Sequence, residues 1–240
     1  MVAENIKNIQ ERIEESALRS GRRPEDVGLV AVTKTFGVEK ITEAIEAGQL
    51  DFGENYVQEL VQKRDQLGDS RARWHFIGHL QTNKVKYIAK FIQLVHTVDN
   101  ERVAGELQKR GRQLNRPIDV LVEVRTTAEA TKTGVAVNQV LDLVKAISKL
   151  DFVRVQGLMT MGPFSENPNE SRPSFRQLAG LAKAISNEGI ENVSMRHLSM
   201  GMSHDFEVAI EEGATILRIG TGIFGSRTEA HNKFKFTTGR

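Results

Sequence analysis

Cysteine is absent from the 240-residue chain. That removes disulfide frameworks, thiolate nucleophiles, cysteine-ligated zinc and iron–sulfur clusters together. A charge excess is missing too: 33 Lys and Arg face 31 Asp and Glu, a formal net charge of +2. Nucleic acid would call for a larger basic excess or a clustered basic stripe, so it is not expected as a partner. No apolar run approaches the roughly 18 residues of a membrane span, and no membrane association is expected either. Residues 1–16 are charged and helical in period, without the apolar region or small-residue cleavage site of a secretory signal. The expectation is a cytoplasmic protein. The glycosylation patterns at Asn169 and Asn192 then count as chance matches. No linker or shift in composition interrupts the chain, so residues 1–240 are expected to form one domain. Its 39% hydrophobic and 27% charged residues are an ordinary globular balance, and a chain this long buries a core without covalent staples.

One pattern recurs from end to end: a short run rich in Val, Ile and Leu, a polar turn, then a stretch of helical period. The strand candidates are 28–33, 50–53, 74–78, 94–98, 118–124, 153–160, 193–198 and 216–220. Helical candidates lie near 38–47, 56–67, 83–91, 101–114, 137–149, 173–187 and 204–212, with an extra helix over 3–19 in front. Strands alternating with helices imply a parallel sheet, because parallel neighbours need a crossover. Eight such units in about 250 residues match a closed (β/α)8 barrel of the TIM type. An open doubly wound sheet is the competing α/β fold. The polar stretch 162–171 after the sixth strand reads as a surface loop, or more sharply as a lid.

In a barrel the active site sits at the carboxyl ends of the strands. The first strand runs into Lys34, and with a period of two, Val30, Val32 and Lys34 share a face. A lysine partly desolvated at the end of an apolar strand loses preference for its charged form and can attack a carbonyl. The plainer alternative is a lysine that snorkels to water. After the last strand, residues 220–225 spell G-x-G-x-x-G. Only residues 226–240 follow, which leaves no room for a dinucleotide-binding βαβ unit and its ribose-binding acid. The glycines instead suit close backbone approach to a phosphate, commonly bound after strands 7 and 8 of barrels, or simply a turn that closes the barrel. Ser203 fits the N-cap of the next helix, where an anion can also bind. Ser203, His204 and Asp205 are consecutive and cannot form a triad.

Arg218 can only donate hydrogen bonds and reads otherwise as an ion pair at the rim. Asn55 reads as the N-cap of the helix near 56–67, with Gln58 completing a capping box. His75 and His79 bracket the third strand and read as structural histidines, with no metal expected. Lys84, Arg125 and Lys132 would make the mouth basic, which suits an anionic ligand.

A strand-1 lysine with a phosphate cradle after strands 7 and 8 suggests a pyridoxal 5'-phosphate site. On the stretches 30–34, 52–59, 74–84, 157–161, 198–203 and 218–225, the chain resembles the pyridoxal phosphate homeostasis protein family (the YggS or PROSC type). The resemblance implies a single barrel like the N-terminal domain of alanine racemase, the type III pyridoxal phosphate fold without its second domain. It implies that Lys34 carries the cofactor as a reversible Schiff base. Ser203, Gly220 and Thr221 would hold the phosphate, Arg218 would face the pyridine nitrogen, and Asn55 would line the cofactor. The segment around Lys132 matches the family only loosely, and the tail after Arg227 does not match.

An arginine at the ring nitrogen cannot take up its proton, which makes the cofactor a poor electron sink. The implied function is therefore a homeostasis protein that stores and supplies pyridoxal phosphate and serves amino-acid and keto-acid balance, with no established turnover. Apo-enzymes that need the cofactor are the implied partners, and a monomer is the default. The alternative is a racemase-like enzyme, whose signature is isotope washout from the α-carbon of alanine. A racemase needs acid–base groups on both faces of the ring, and the tyrosine of the missing second domain has no replacement. Tyr56 and Tyr87, the only tyrosines, both fall in stretches of helical period. A third reading makes Lys34 an aldolase-type Schiff-base lysine with no cofactor.

Overall fold

The computed structural model describes residues 1–68, 71–127, 133–163 and 165–225. Eight strands carry the architecture: β1 (Gly28–Val32), β2 (Asp51–Glu54), β3 (Arg73–Phe76), β4 (Leu94–Val98), β5 (Ile118–Arg125), β6 (Val153–Met159), β7 (Val193–Ser199) and β8 (Ile216–Ile219). Each pairs in parallel with its neighbours, and β4 pairs with β5 while β8 pairs back to β1. The sheet therefore closes on itself. Of the two folds expected from the strand–helix alternation, the barrel is the one that forms.

The alternation of side chains separates two apolar layers. Val30, Leu94, Leu121, Met159 and Ile216 point inward and pack together. Their sequence neighbours Ala31, Val95 and Val120 join the larger core under the helices. That core receives α2 (Val38–Glu46), α3 (Val57–Leu67), α4 (Val85–Ile88), α5 (Glu101–Leu114), α6 (Val140–Ile147), α7 (Arg172–Asn187) and α8 (Phe206–Glu211). The leading helix, α1 (Val2–Arg19), buries Val2, Ile6, Ile9, Ile13 and Ala17. Their spacing of three or four residues makes one stripe, which lies against α2, α8 and a last short helix, α9 (Thr221–Phe224).

Three local features depart from the periodicity. The helix expected over 83–91 is reduced to four residues behind a 3-10 turn at Thr82–Lys84, because the chain must bend back to start β4 at Leu94. A 3-10 turn, Val137–Gln139, likewise opens α6, and a two-residue strand, Val135–Ala136, pairs in parallel with the end of β5. Helix α9 occupies a stretch that the sequence presents as a glycine-rich turn; four residues are too few to show a helical period. Among the described residues no helix is long and apolar enough to cross a membrane.

Candidate functional site

A cavity of about 340 Å³ opens at the carboxyl ends of the strands. Lys34, Asn55, Ser203, Arg218, Gly220 and Thr221 all line it. These six come from four separate loops or strand ends, spaced over most of the chain. Val32, Phe36, Ile77, Met161 and Met202 supply apolar walls. The inward alternation expected at β1 is present: Val30 lies in the interior layer, Val32 faces the cavity, and Lys34 follows at the mouth, half-buried.

The turn that carries Lys34 is held by a buried charge cluster that local sequence rules do not reveal. Lys63 Nζ, on α3, donates to Glu54 Oε1 at 2.6 Å, Glu59 Oε1 at 2.7 Å and the Thr33 carbonyl at 2.6 Å. Thr33 Oγ1 donates to Glu54 at 2.6 Å, and the Thr35 N–H donates to Glu59 at 2.6 Å. Both neighbours of Lys34 are thereby gripped. Thr35 sits at φ 73°, a left-handed conformation that a β-branched residue adopts at a cost of about 1–3 kcal/mol and keeps only where its surroundings enforce it. Burial pushes the Glu54 carboxyl up to about 7, against the opposing pull of Lys63.

The sign of the linked stability follows from that rise. A folded-state pKa above the unfolded value means that the native protein holds the proton longer. Glu54's contribution is complete below about pH 4.5 and is lost as pH climbs through about 7. The stability of the wild type, measured by denaturant unfolding between pH 5 and 8, is expected to fall relative to Glu54→Gln, which lacks the titration. Parallel profiles for the two proteins would contradict this.

At the opposite wall the loops after β7 and β8 meet. Ser203 Oγ accepts from the Gly222 N–H at 3.2 Å, so the two loops expected to share an anion are in contact. Ser203 is not the helix cap that its position suggested. Asp205 precedes α8, and its carboxylate accepts from the Met202 N–H at 2.6 Å and from Ser171 Oγ at 2.8 Å. The second of these bonds ties the loop at 162–171 to the site wall; Phe164 in that loop lies outside the described residues. Gly201 takes φ 90°, and a Cβ there would lie 2.6 Å from the Ala209 Cβ, so only glycine allows this path. A Cβ on Gly220 would lie 3.2 Å from the Val32 carbonyl, which shows how closely the last loop approaches β1. Below it, Asn5 of α1 donates to the Ile223 carbonyl at 2.8 Å, and Phe36 packs on Phe224 at 5.1 Å.

Asn55 also departs from its expected capping role. Tyr56 occupies the N-cap of α3, no side chain caps that end, and no capping box with Gln58 forms. The Asn55 Oδ1 is instead buried without a hydrogen-bond partner at the cavity wall. An orphaned buried acceptor is unusual and is what a ligand-facing amide looks like before its ligand arrives.

Arg218 corrects another expectation. It lies inside the barrel, 4% exposed, rather than in an ion pair at the rim. Its Nη1 donates to Ser199 Oγ at 2.6 Å and its Nη2 to the Thr160 carbonyl at 2.9 Å. Burial lowers its pKa to about 10, while the Asp205 and Glu123 carboxylates pull it back up. It remains a cation at neutral pH. His75 is the buried, hydrogen-bonded residue expected. His79 is exposed and not a core histidine; with Tyr56 and Lys84 it lines an adjoining cavity of about 420 Å³, which shares Asn55. Tyr56 thus stands in extended backbone before α3, not within a helix. Arg125 ends β5, half-buried, and Lys132 lies outside the described residues.

Three kinds of comparison with known proteins place the chain. The family model described as "Alanine racemase, N-terminal domain" matches residues 2–228. A pyridoxal phosphate homeostasis protein of Aquifex aeolicus is 46% identical over 93% of this chain and 97% of its own. The chain belongs to the pyridoxal phosphate homeostasis protein family. The Escherichia coli K12 member is 38% identical over 94% of this chain and 97% of its own. Among solved structures, PipY of Synechococcus elongatus with pyridoxal phosphate bound has a TM-score of 0.81 at 31% identity, covering 94% of this chain and all of PipY. An alanine racemase of Clostridium difficile shares the fold, with a TM-score of 0.72 at 15% identity, but this chain covers only 58% of it. Membership of the homeostasis family and the barrel of the racemase N-terminal domain are therefore both as the sequence motifs implied.

Proposed function

We propose that the chain binds pyridoxal 5'-phosphate in the 340 Å³ cavity and releases it again, storing and supplying the cofactor without turnover of its own. The observation that carries this reading is the convergence of all six expected residues on one cavity, next to a buried amide oxygen that lacks a partner. The residues suit the group. Ser203, Gly220 and Thr221 would hold its phosphate, Arg218 would donate to the ring nitrogen, and Asn55 would line the ring. The cavity's methionine, valine, isoleucine and phenylalanine side chains would cover the ring faces.

When bound, the cofactor supplies an aldehyde with which a primary amine condenses reversibly, with loss of water. Lys34 offers that amine at the end of an apolar strand, half-buried at the cavity mouth, and its neutral form is the nucleophile. Arg218, a donor with no acceptor atoms, cannot receive a proton from the ring nitrogen. Tyr56 lines the adjoining cavity and not this one, so among the described residues no tyrosine stands in this cavity for the second acid–base group that racemisation needs. Cytoplasmic cofactor supply, as a monomer, to apo-enzymes that depend on it fits these features.

Retention decides the matter. Mixed with pyridoxal phosphate and desalted, the purified chain is expected to keep the cofactor and its visible absorption. Pyridoxamine phosphate, which has the ring and phosphate but no aldehyde, is expected to wash off. Loss of both compounds, or equal retention of both, would contradict the proposal.

A further inference from the structure

A line of polar side chains crosses the barrel interior from the cofactor cavity to the opposite mouth. Arg218 Nη1 meets Ser199 Oγ at 2.6 Å, and Ser199 Oγ meets His96 Nδ1 at 2.8 Å. His96 Nε2 meets His75 Nδ1 at 2.9 Å, and His75 Nε2 meets Asp51 Oδ1 at 3.1 Å. His96 and Ser199 are fully buried, and His75 is 6% exposed. Asp51 ends the line at a second cavity, about 770 Å³, at the amino ends of the strands, where Arg73 also donates to it at 2.8 Å and 2.5 Å. A barrel interior is ordinarily filled with branched apolar side chains. Polar atoms from five strands, β2, β3, β4, β7 and β8, each paired with the next, need a reason.

With His75 neutral, the chemistry at the two ends sets the direction of every bond. Burial would raise the Asp51 pKa, but His75 and Arg73 together hold it low, so Asp51 is a carboxylate that can only accept. His75 must then donate from Nε2, and in its neutral form it accepts at Nδ1. His96 donates that bond from Nε2 and stays neutral, because full burial, with His75, Arg218 and His197 nearby, holds its pKa well below the usual histidine value. Its Nδ1 therefore accepts the Ser199 hydroxyl proton, and the Ser199 oxygen is left to accept from Arg218.

We propose that Asp51, His75, His96 and Ser199 are positioning residues for Arg218, forming an oriented relay that reports the state of the lower mouth to the cofactor cavity. This rests on the reading that Arg218 faces the cofactor's ring nitrogen. The relay has two self-consistent polarities. In the second, a donor at the lower end gives a hydrogen bond to His75 Nε2, both imidazoles carry their hydrogens on Nδ1, and His96 donates to Ser199. The serine hydroxyl hydrogen is then free to turn away, and the dipole beside Arg218 reverses without any charge crossing the barrel. Asp51→Asn should favour that state: with its amide nitrogen toward His75 it donates there, giving up the bond from Arg73 Nε while its oxygen still accepts from Arg73 Nη2.

The test reads imidazole tautomers by nitrogen NMR on the cofactor-free protein. Wild type is expected to show hydrogen on Nε2 of both His75 and His96, and Asp51→Asn to show it on Nδ1 of both. Hydrogen on Nδ1 of His96 in wild type, or an unchanged His96 in a folded Asp51→Asn, would overturn the relay. Wild type alone decides its direction should the variant not fold. A second readout adds pyridoxal phosphate: the absorption maximum of the bound cofactor is expected to move in Asp51→Asn, although residue 51 touches no part of its cavity. An unmoved maximum would overturn the coupling to the cofactor. Failure of wild type to bind the cofactor would instead count against the proposed function, and the tautomers would still decide the relay.

Discussion

Lys34→Ala is expected to weaken retention of pyridoxal phosphate on the order of a hundredfold, about 2.7 kcal/mol, and to abolish the borohydride-reducible link. The other proposed contacts should survive, since Ser203, Gly220 and Thr221 stand on other loops and Arg218 on β8. The variant should thus still take up the cofactor weakly, at raised concentration. It should also fold normally, because the buried carboxylates grip Thr33 and Thr35 on either side and their bonds do not pass through the lysine side chain. Equilibrium dialysis with the wild type alongside measures the ratio. An unchanged affinity would mean that the amine takes no part in holding the cofactor.

Lys63→Met is expected to destabilise the protein by about 3–5 kcal/mol near neutral pH, the usual consequence of removing one partner from a buried ion pair. Methionine preserves most of the volume, so the loss is electrostatic and not a cavity effect. Glu54 and Glu59 would be left facing each other in the interior, 0% and 4% exposed. At about 2–4 °C for each kcal/mol in a chain of this size, the melting temperature should drop by roughly 10 °C. The damage should shrink on acidification, because Glu54, already raised to about 7 with its cation present, can take up a proton. Thermal unfolding at pH 5 and pH 8 separates this account from simple loss of packing, which would give the same drop at both. A second consequence concerns the site: with the grip on Thr33 and Thr35 loosened, cofactor retention should weaken together with stability.

How far the site could be read from the chain depended on the distance over which each rule acts. The alternation along β1 placed Val30, Val32 and Lys34 on one face without any knowledge of the rest of the fold. The same alternation puts Leu94 and His96 on one face of β4 and would have disclosed the interior histidine. Capping rules misplaced Asn55 and Ser203 for the opposite reason. Both residues have the right local chemistry for a helix start, but the closed barrel brings each against the cavity, and Ser203 bonds to Gly222 across the site. The grip on the Lys34 turn joins β1, β2 and α3, so no single stretch carries its pattern. A Glu59–Lys63 pair at i, i+4 reads as a solvated helix face until the fold buries it. Helix α9 escaped because four residues cannot display a period of 3.6. The strand–helix count, by contrast, sums weak signals over the whole chain, and for that reason the barrel was legible.

A single lysine, Lys34, is proposed to hold the cofactor. That role is tested most directly by reducing the cofactor-loaded protein with borohydride and mapping the modified peptide by mass spectrometry. One equivalent of reduced pyridoxal phosphate is expected, attached to the peptide that contains Lys34 and to no other. Modification spread over several lysines, or concentrated on one away from the cavity, would contradict it.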